Sequence, residues 1–267
     1  MPIISIAIQK GGSGKTTTAV NLAAALHRQG KHILLVDADP QANLSQSLGV
    51  GEPRARDLYT EWRKEMEGGG GSTVAEQQAS LRQAIVQTTS GLDLLPGSQK
   101  LAETETELVS AEEGESLLND MLQCVAADYD FVFIDCPSAL GMLTRSALVA
   151  SRWVLMPLQA EFLPLKGARM AMQFLGRDIA RIRKRRNAQI DVLGFVFNRY
   201  DERRTINRRM CKELEDEYPD KVFKTRIRTN IQLSKAQEAG LDIFSYDASC
   251  NGAADYAALG EEFLTKL

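Results

Sequence analysis

The chain has 267 residues, of which 44% are hydrophobic, and a formal net charge of −3 at pH 7. A chain of this length and composition can bury a substantial core and fits one large α/β domain better than two small ones. No apolar run reaches the roughly 18 to 20 residues of a membrane span, and the first residues lack the pattern of a secretory leader. We therefore expect a soluble, cytosolic protein.

The cysteines and histidines exclude the common metal centres. Four cysteines are scattered without a C-x-x-C pair, and the sequence contains only two histidines. Neither a zinc site nor an iron–sulfur cluster would find ligands at a usable spacing. We expect reduced, mostly packed thiols.

Short β-branched apolar runs alternate along the chain with longer amphipathic segments, which predicts strands joined by crossover helices. Because the runs are apolar throughout, both faces of the strands should be covered. The expected fold class is α/β, a single-domain, mostly parallel twisted sheet with helices on both faces. After the first strand, the segment TTTAVNLAAALHRQG predicts an amphipathic helix that ends at Gly30. The predicted strands are IISIAI, HILLVD, LDLLP, FVFID, WVLMPL, DVLGFVFN and VFKTRI.

The first strand leads into a glycine-rich loop, QKGGSGKTTT, over residues 9–18. Such a turn before a helix gathers backbone N–H groups around one point and favours bound phosphate. Lys15 is expected at the β- and γ-phosphates, and the Thr16 hydroxyl on Mg²⁺. The strict pattern asks for glycine where Gln9 stands, and Lys10 is an additional lysine. The residues predicted to bind the nucleotide in this loop are Gly11, Gly12, Ser13, Gly14, Lys15, Thr16 and Thr17.

Two later strands end in carboxylates. Asp37 and Asp39 lie at the end of HILLVD, and Asp135 ends FVFID. In an open α/β sheet, ligands bind outside the carboxyl ends of the strands, so the loop and the acids should converge. Because Mg²⁺ prefers hard oxygen ligands, these three acids and Thr16 are predicted to form a magnesium site. The alternative is that the acids only cap turns or helix starts.

The stretch from residue 52 to residue 80 is polar and contains the run EGGGGST. We predict one P-loop domain over residues 1–267, with a mobile surface loop at residues 66–74. A flexible interdomain linker is the alternative, but both flanks are too short to be separate domains.

Charge is distributed unevenly along the chain. Residues 52–130 carry 16 acidic and 6 basic side chains, whereas residues 177–228 carry 9 acidic and 16 basic ones. A basic surplus of this density indicates binding to a phosphate backbone. The alternative is a set of solvated helix faces paired with nearby acids. The predicted DNA-binding residues are Arg183, Lys184, Arg185, Arg186, Arg203, Arg204, Arg226 and Arg228.

The order of these motifs resembles the deviant Walker-A ATPases of the ParA type, which partition plasmids and chromosomes or position large protein cargoes. The resemblance covers nearly the whole chain, which makes it more specific than the loop alone. The segments that carry it include KGGSGKTTTAVNLAAAL, LLVDADPQANLSQSLG, LDLLPGSQKLAETETEL, DYDFVFIDCPSALGMLTRSAL, PLQAEFLPLKGA, FNRYDERRT and EAGLDIFSYD.

The resemblance implies a role for the additional lysine. Lys10 would act in trans, touching the phosphates of ATP held by a partner subunit, while Lys15 and Thr16 act in cis. A second cation beside the triphosphate would stabilise charge that one lysine and Mg²⁺ only partly offset. Considered without the resemblance, Lys10 is a solvated surface lysine at the start of a loop.

The resemblance also implies roles for the acids and for one asparagine. Asp39 would orient the attacking water, Asp135 would hold a magnesium-bound water, and Asp37 would support the magnesium shell. Asn198, at the end of DVLGFVFN, would contact adenine; the alternative is a turn residue. The chain departs from the family's sequence pattern at Gln232, where members of the family often have a DNA-contacting arginine. It predicts a DNA surface that is shifted or used differently.

The function implied is an ATP-dependent homodimeric switch that binds nonspecific double-stranded DNA. A ParB-like protein or cargo adaptor would stimulate hydrolysis of ATP, with Mg²⁺ as cofactor, and the protein would be cytoplasmic and nucleoid-associated. The alternative is a MinD-like membrane-cycling ATPase, which ends in a basic amphipathic helix. Here the closing segment GAADYAALGEEFLTKL is acidic, so no membrane partner is expected. A reductase of the nitrogenase iron-protein kind would need paired cluster cysteines, and a kinase or ligase would need an acceptor site.

Overall fold

The computed structural model describes residues 2–51, 54–68, 73–110, 113–159 and 165–267. Within these residues, eight strands join in one sheet. The strands are β1 (Ile3–Ile6), β2 (Ile33–Asp37), β3 (Val86–Gln87), β4 (Asp93–Leu95), β5 (Phe131–Asp135), β6 (Trp153–Gln159), β7 (Asp191–Tyr200) and β8 (Val222–Arg228). The helices are α1 (Lys15–His27), α2 (Asn43–Ser47), α3 (Leu58–Gly68), α4 (Val74–Ala84), α5 (Leu101–Ser110), α6 (Leu117–Gln123), α7 (Met142–Ala150), α8 (Leu165–Arg185), α9 (Thr205–Glu217), α10 (Ile231–Glu238), α11 (Ile243–Asp247) and α12 (Asn251–Lys266).

The sheet has the strand order β3-β4-β2-β5-β1-β6-β7-β8, and every pair is parallel except β3 with β4. The α/β prediction is confirmed, and all seven predicted strands are present. Strand β3 was not predicted, because two residues are too few to show a pattern. The chain leaves β1 towards β2 on one side and later crosses to β6 on the other. The carboxyl end of β1 therefore lies where ligands bind in doubly wound sheets.

Both faces of the sheet are covered, as the continuous apolar runs predicted. On β2, Leu34 and Val36 belong to one buried cluster, whereas Ile33 and Leu35 belong to the other. The first cluster includes apolar residues of α3, α6 and α7. The second includes those of α1 and α12, with Tyr256 and Phe263 fully buried. Because successive side chains of a strand point to opposite faces, a strand between two helical layers must be apolar at every position.

Helix α1 has the buried apolar face expected of the predicted amphipathic helix, but it ends earlier than predicted. Ala19, Leu22, Ala23 and Leu26 are all fully buried. The helix ends at His27, three residues before Gly30, which adopts φ 81° in the turn to β2. Glycine accepts this left-handed conformation without steric cost, so it marks the turn and not the last helical residue.

One edge of the sheet is β8, and helix α12 covers part of its backbone. The two carboxylate oxygens of Glu262 accept hydrogen bonds from the backbone N–H groups of Lys224 (2.6 Å) and Thr225 (2.7 Å). An edge strand otherwise presents such groups to a further strand.

The loop predicted at residues 66–74 lies partly outside the described residues. Helix α3 ends at Gly68, and α4 begins at Val74 after Thr73, which forms a reciprocal capping pair with Glu76. Residues 69–72 are not described, so the mobile loop stays a prediction.

Candidate nucleotide-binding site

The glycine-rich loop connects β1 to α1 at the carboxyl edge of the sheet, where it borders a cavity of about 520 Å³. Gly12 and Gly14 adopt φ 70° and φ 90°, in the left-handed region that glycine accepts without steric cost. A Cβ atom at Gly14 would also overlap the side-chain amide of Asn198. Glycine is thus required at this position for its backbone angle and for space.

The Lys15 side chain is held by a residue far away in the sequence. Its Nζ atom donates to Ser138 Oγ at 2.8 Å and to the carbonyl oxygen of Lys10 at 3.4 Å. Ser138 lies in the loop that follows β5 and lines the same cavity. Because an ammonium group can only donate, the Ser138 oxygen accepts here and its own proton stays available to another acceptor.

Asp37 and Asp135 lie side by side on neighbouring strands. They are register partners of β2 and β5, and both are fully buried. Asp135 Oδ2 accepts from the Thr16 hydroxyl at 2.6 Å. Asp37 Oδ2 accepts from the backbone N–H (2.8 Å) and the hydroxyl (2.7 Å) of Ser45 at the start of α2. Loop and acids therefore meet at one edge, as the strand ends predicted.

Burial changes the ionisation of both carboxyls. Loss of solvation raises the pKa of Asp37 to about 7, against the opposing effect of its hydrogen bonds from Ser45. Loss of solvation and then the nearby Asp37 raise the pKa of Asp135 to about 8. Two carboxylates so close together disfavour each other's charge, and a cation between them would reverse that effect.

The site has the donor set of a magnesium ion held largely by phosphate and water. Among the described residues, no three His, Cys, Asp or Glu side chains form a ready metal cage. Asp135 Oδ1 is buried and has no hydrogen-bond partner within the described chain. An oxygen left in this state beside the Thr16 hydroxyl fits a hard cation that keeps several waters and phosphate oxygens.

Asn198 and Asp39 line the cavity on either side of the loop. Asn198 Nδ2 donates to the carbonyl oxygen of Ser13 and to Thr18 Oγ1, both at 3.1 Å. Its Oδ1 atom is buried and accepts no hydrogen bond from the described residues, so it can accept one from a ligand. Asp39 accepts from the backbone N–H of Gln41 at 3.0 Å through one oxygen.

Lys10 begins the loop and is half-buried, and burial lowers the pKa of its ammonium group. Its backbone N–H donates to the Ile8 carbonyl at 2.8 Å. Its own carbonyl accepts from the Lys15 ammonium at 3.4 Å, so the two ends of the loop lie close together. A contact of Lys10 with a second copy's nucleotide stays a prediction.

Comparisons with known proteins agree with this site. A family model described as an AAA domain matches residues 1–192. The chromosome partitioning protein ParA of Caulobacter vibrioides is 35% identical over 99% of this chain and 94% of its own length. The chain belongs to the ParA/MinD family of P-loop ATPases.

Solved structures also match nearly the whole chain. A Mycobacterium smegmatis protein described as cobyrinic acid a,c-diamide synthase, crystallised with an ATP analog and magnesium, is 30% identical. It superimposes with a TM-score of 0.80 over 99% of this chain and 94% of its own. The cell division ATPase MinD of Pyrococcus furiosus is 25% identical, with a TM-score of 0.73 over 100% and 99% of the two chains.

The basic residues do not form one patch on this ParA/MinD fold. Arg183 to Arg186 lie where α8 ends, before β7 begins, so they are at the amino edge of the sheet. Arg203 and Arg204 follow the carboxyl end of β7, on the side of the P-loop. Strand β7 has ten residues and separates the two groups by about 30 Å.

Most of these cations have acidic partners. Arg183 pairs with Asp191 at 2.8 Å, and Arg186 with Glu113 at 3.6 Å. Arg203 and Arg204 both pair with Asp201, at 3.0 and 3.8 Å. Arg226 pairs with Glu215, and Arg228 makes a two-pronged pair with Asp255 of α12. The alternative predicted for these residues, pairing of the basic side chains with nearby acids, is therefore present. It is most complete at Arg226 and Arg228.

Several residues of the cavity wall were not predicted. Ser138 and Gln237 contact the P-loop or α1 through hydrogen bonds, and Arg199 adopts φ 50° next to Asn198. With the Gln159 amide turned so that its oxygen faces Arg199, that oxygen accepts from Nη1 at 3.0 Å. Ser138, Gln159 and Arg199 lie in segments that carry the family resemblance, but their contacts at the cavity follow only from the folded chain.

Proposed function

We propose that this chain is a partition or positioning ATPase that works as an ATP-dependent homodimer on nonspecific double-stranded DNA. The observation that carries the proposal is that the P-loop lines one cavity with Asp39, while its Thr16 hydroxyl donates to Asp135, the strand-end partner of Asp37. The similarity to a chromosome partitioning protein over nearly the full length supports the same activity.

ATP and Mg²⁺ are the ligands proposed for the cavity. The backbone of Gly11 to Gly14 and the Lys15 ammonium would bind the phosphates, and the Asn198 oxygen would accept from the adenine amino group. Thr16 and Asp135 would hold Mg²⁺ or its waters, with Asp37 in support. When bound, Mg²⁺ offsets charge on the β- and γ-phosphates and orients them. Asp39 would orient the attacking water.

The switch is proposed to depend on Lys10. Its ammonium would reach the phosphates of ATP in a second copy, which makes the nucleotide part of the dimer interface. A ligand shifts an equilibrium only through its differential affinity for the two states, and this contact exists only in the closed dimer. A partner protein bound to cargo would stimulate hydrolysis and so open the dimer.

DNA binding is proposed for the carboxyl edge, on the same side as the nucleotide. Arg203 has 91% and Arg204 53% of its side chain exposed, so both guanidinium groups are accessible to a phosphate backbone. Contacts of this kind bind phosphates without reading bases, so affinity should fall steeply with salt.

The decisive experiment is a DNA gel shift with ATP, ADP and no nucleotide. Wild type should bind only with ATP, and both Lys10→Ala and Lys15→Ala should lose binding. Lys10→Ala should still bind nucleotide in a filter assay, whereas Lys15→Ala should not. Binding that persists in Asp39→Ala would assign Asp39 to hydrolysis. DNA affinity that is the same with and without ATP would overturn the proposal.

A membrane role of the MinD kind is disfavoured by the packing of α12. Tyr256, Leu259 and Phe263 are fully buried against the sheet, so its apolar face is committed to the domain. None of the described helices is long and apolar enough to span a bilayer. Liposome flotation with ATP should leave the protein in the unbound fraction.

A further inference from the structure

Gln237 lies at the candidate nucleotide site although it belongs to α10, a helix for which the sequence predicts no nucleotide contact. It lies on α10 and lines the cavity beside Thr17 of α1. Its Nε2 atom donates to Thr17 Oγ1 at 3.1 Å, across 220 positions of sequence.

This hydrogen bond fixes the direction of the Thr17 proton. A hydroxyl has one proton to donate and two lone pairs that accept. Because the Gln237 amide donates, it occupies a lone pair of Oγ1 and leaves the Thr17 proton for another acceptor. Thr17 is the third residue of α1, where a bound phosphate would accept that proton.

The element that carries Gln237 is firmly docked. Leu233 and Ala236 of α10 are buried. Asn21 of α1 links α11, the helix after α10, to the start of α1. Its Nδ2 donates to the Thr17 carbonyl and its Oδ1 accepts from the Ile243 backbone N–H, both at 2.8 Å. A docked amide can hold a hydroxyl in one orientation before the ligand arrives, which lowers the cost of binding.

We propose that Gln237 is a positioning residue for phosphate recognition, which directs the Thr17 hydroxyl towards the α-phosphate of the nucleotide. The inference rests on the proposed function, because it requires nucleotide in this cavity. Since ATP and ADP both carry an α-phosphate, Gln237 should matter equally to both. This distinguishes it from Lys10, which is proposed to act on the phosphates of ATP across a dimer.

A double-mutant cycle tests the inference. Dissociation constants for Mg·ADP and a non-hydrolysable ATP analog would be measured for wild type, Gln237→Ala, Thr17→Val and the double variant. Each single variant should bind both nucleotides about fivefold more weakly, the value of one hydrogen bond. The double variant should be no weaker than Thr17→Val, because Gln237 acts through that hydroxyl.

Gln237→Glu is a second test of the amide's role, because it keeps the shape of the side chain almost unchanged. A carboxylate only accepts, so it would take the Thr17 proton and place a charge near the phosphates, and the loss should exceed that of Gln237→Ala. Glu238→Gln, an exposed neighbour on α10, is the matched control and should bind like wild type. Thermal unfolding of the nucleotide-free variants reports any loss of folding.

Multiplicative losses in the double variant, unchanged binding in Gln237→Ala, or an effect on the ATP analog alone would overturn the role of Gln237. Failure of wild type to bind either nucleotide would instead overturn the proposed function, so the two failures are distinguishable.

Discussion

Ser138 holds the Lys15 ammonium from a loop 123 positions away. The loop directly follows Asp135, the last residue of β5, which accepts from Thr16. The end of β5 and its loop therefore contact two successive residues of the P-loop. At the scale of single residues, the site is organised before any ligand arrives. Preorganised donors and acceptors need little rearrangement on binding.

Removal of the Ser138 hydroxyl should loosen Lys15. Ser138→Ala is expected to weaken binding of the ATP analog by about five- to tenfold, because one hydrogen bond to a charged group is lost. Ser138→Thr keeps a hydroxyl and should recover most of the affinity. Equilibrium titration with labelled nucleotide measures both, with the remote Ser249→Ala as control. Equal affinity of Ser138→Ala and wild type would contradict the positioning role.

The buried carboxyl pair predicts a pH dependence of stability without nucleotide. The pKa values of Asp37 and Asp135 are raised to about 7 and about 8, above an ordinary value of 3.8. The folded state thus holds these protons more tightly than the unfolded chain. Their contribution is complete below about pH 4 and is lost as pH rises to about 8, by up to about 1.4 kcal/mol per pH unit for each proton.

Urea unfolding at pH 5 to 8.5 in the absence of nucleotide measures this loss. The midpoint of wild type should fall as pH rises, and Asp135→Asn should flatten the profile because its side chain cannot ionise. Glu238→Gln, an exposed substitution, should keep the wild-type slope. An unchanged slope in Asp135→Asn would show that the buried pair does not govern the profile.

At the scale of elements, Arg228 belongs to the packing of β8 on α12 more than to a free surface. Its guanidinium makes three hydrogen bonds to Asp255, and its backbone N–H donates to the same carboxylate at 2.9 Å. The Asp255 side chain is only 9% exposed, so loss of the arginine would leave a nearly buried charge without its main partner.

Arg228→Ala should therefore lower the free energy of unfolding by about 1 to 3 kcal/mol, as measured by urea denaturation. Arg203→Ala should leave stability within about 0.5 kcal/mol, because that side chain is almost fully exposed. In a gel shift with ATP, Arg203→Ala should weaken DNA binding. A large loss of stability in Arg203→Ala, or none in Arg228→Ala, would contradict this division.

Sequence patterns predict the elements better than the contacts between them. The seven longer strands could be predicted because a strand buried on two faces is apolar at every position. Strand β3 could not be predicted, because two residues carry no periodicity. Asp37 and Asp135 were predictable together because parallel strands bring their carboxyl ends to one edge. Ser138 and Gln237 were not, because a serine in a loop or a glutamine on a helix carries no local signal of its distant partner.

At the scale of the whole molecule, the sheet divides the predicted basic patch in two. Continuity in sequence suggested one surface, but β7 runs between the groups from the amino edge to the carboxyl edge. The carboxyl-edge group shares its side with the nucleotide cavity, which includes Arg228 in its wall. A nucleotide-dependent DNA surface is more simply built on that side.

Matched charge reversals compare the two edges. Arg203→Glu with Arg204→Glu should abolish ATP-dependent DNA binding at moderate salt, whereas Lys184→Glu with Arg185→Glu should weaken it far less. Each pair changes the net charge equally, so a general electrostatic effect cancels in the comparison. DNA affinity measured over a range of salt should show a smaller slope only for the first pair. Equal losses for both pairs would contradict a single carboxyl-edge surface.

The covered margin of the sheet has a consequence for assembly. Glu262 occupies backbone donors of β8, and the opposite margin is the two-residue β3. One margin is thus partly occupied and the other is short, which disfavours continuation of one copy's sheet into the next. Growth by strand addition would be open-ended and insoluble. The proposed dimer would therefore form through another face, and a pairing of identical faces closes at two.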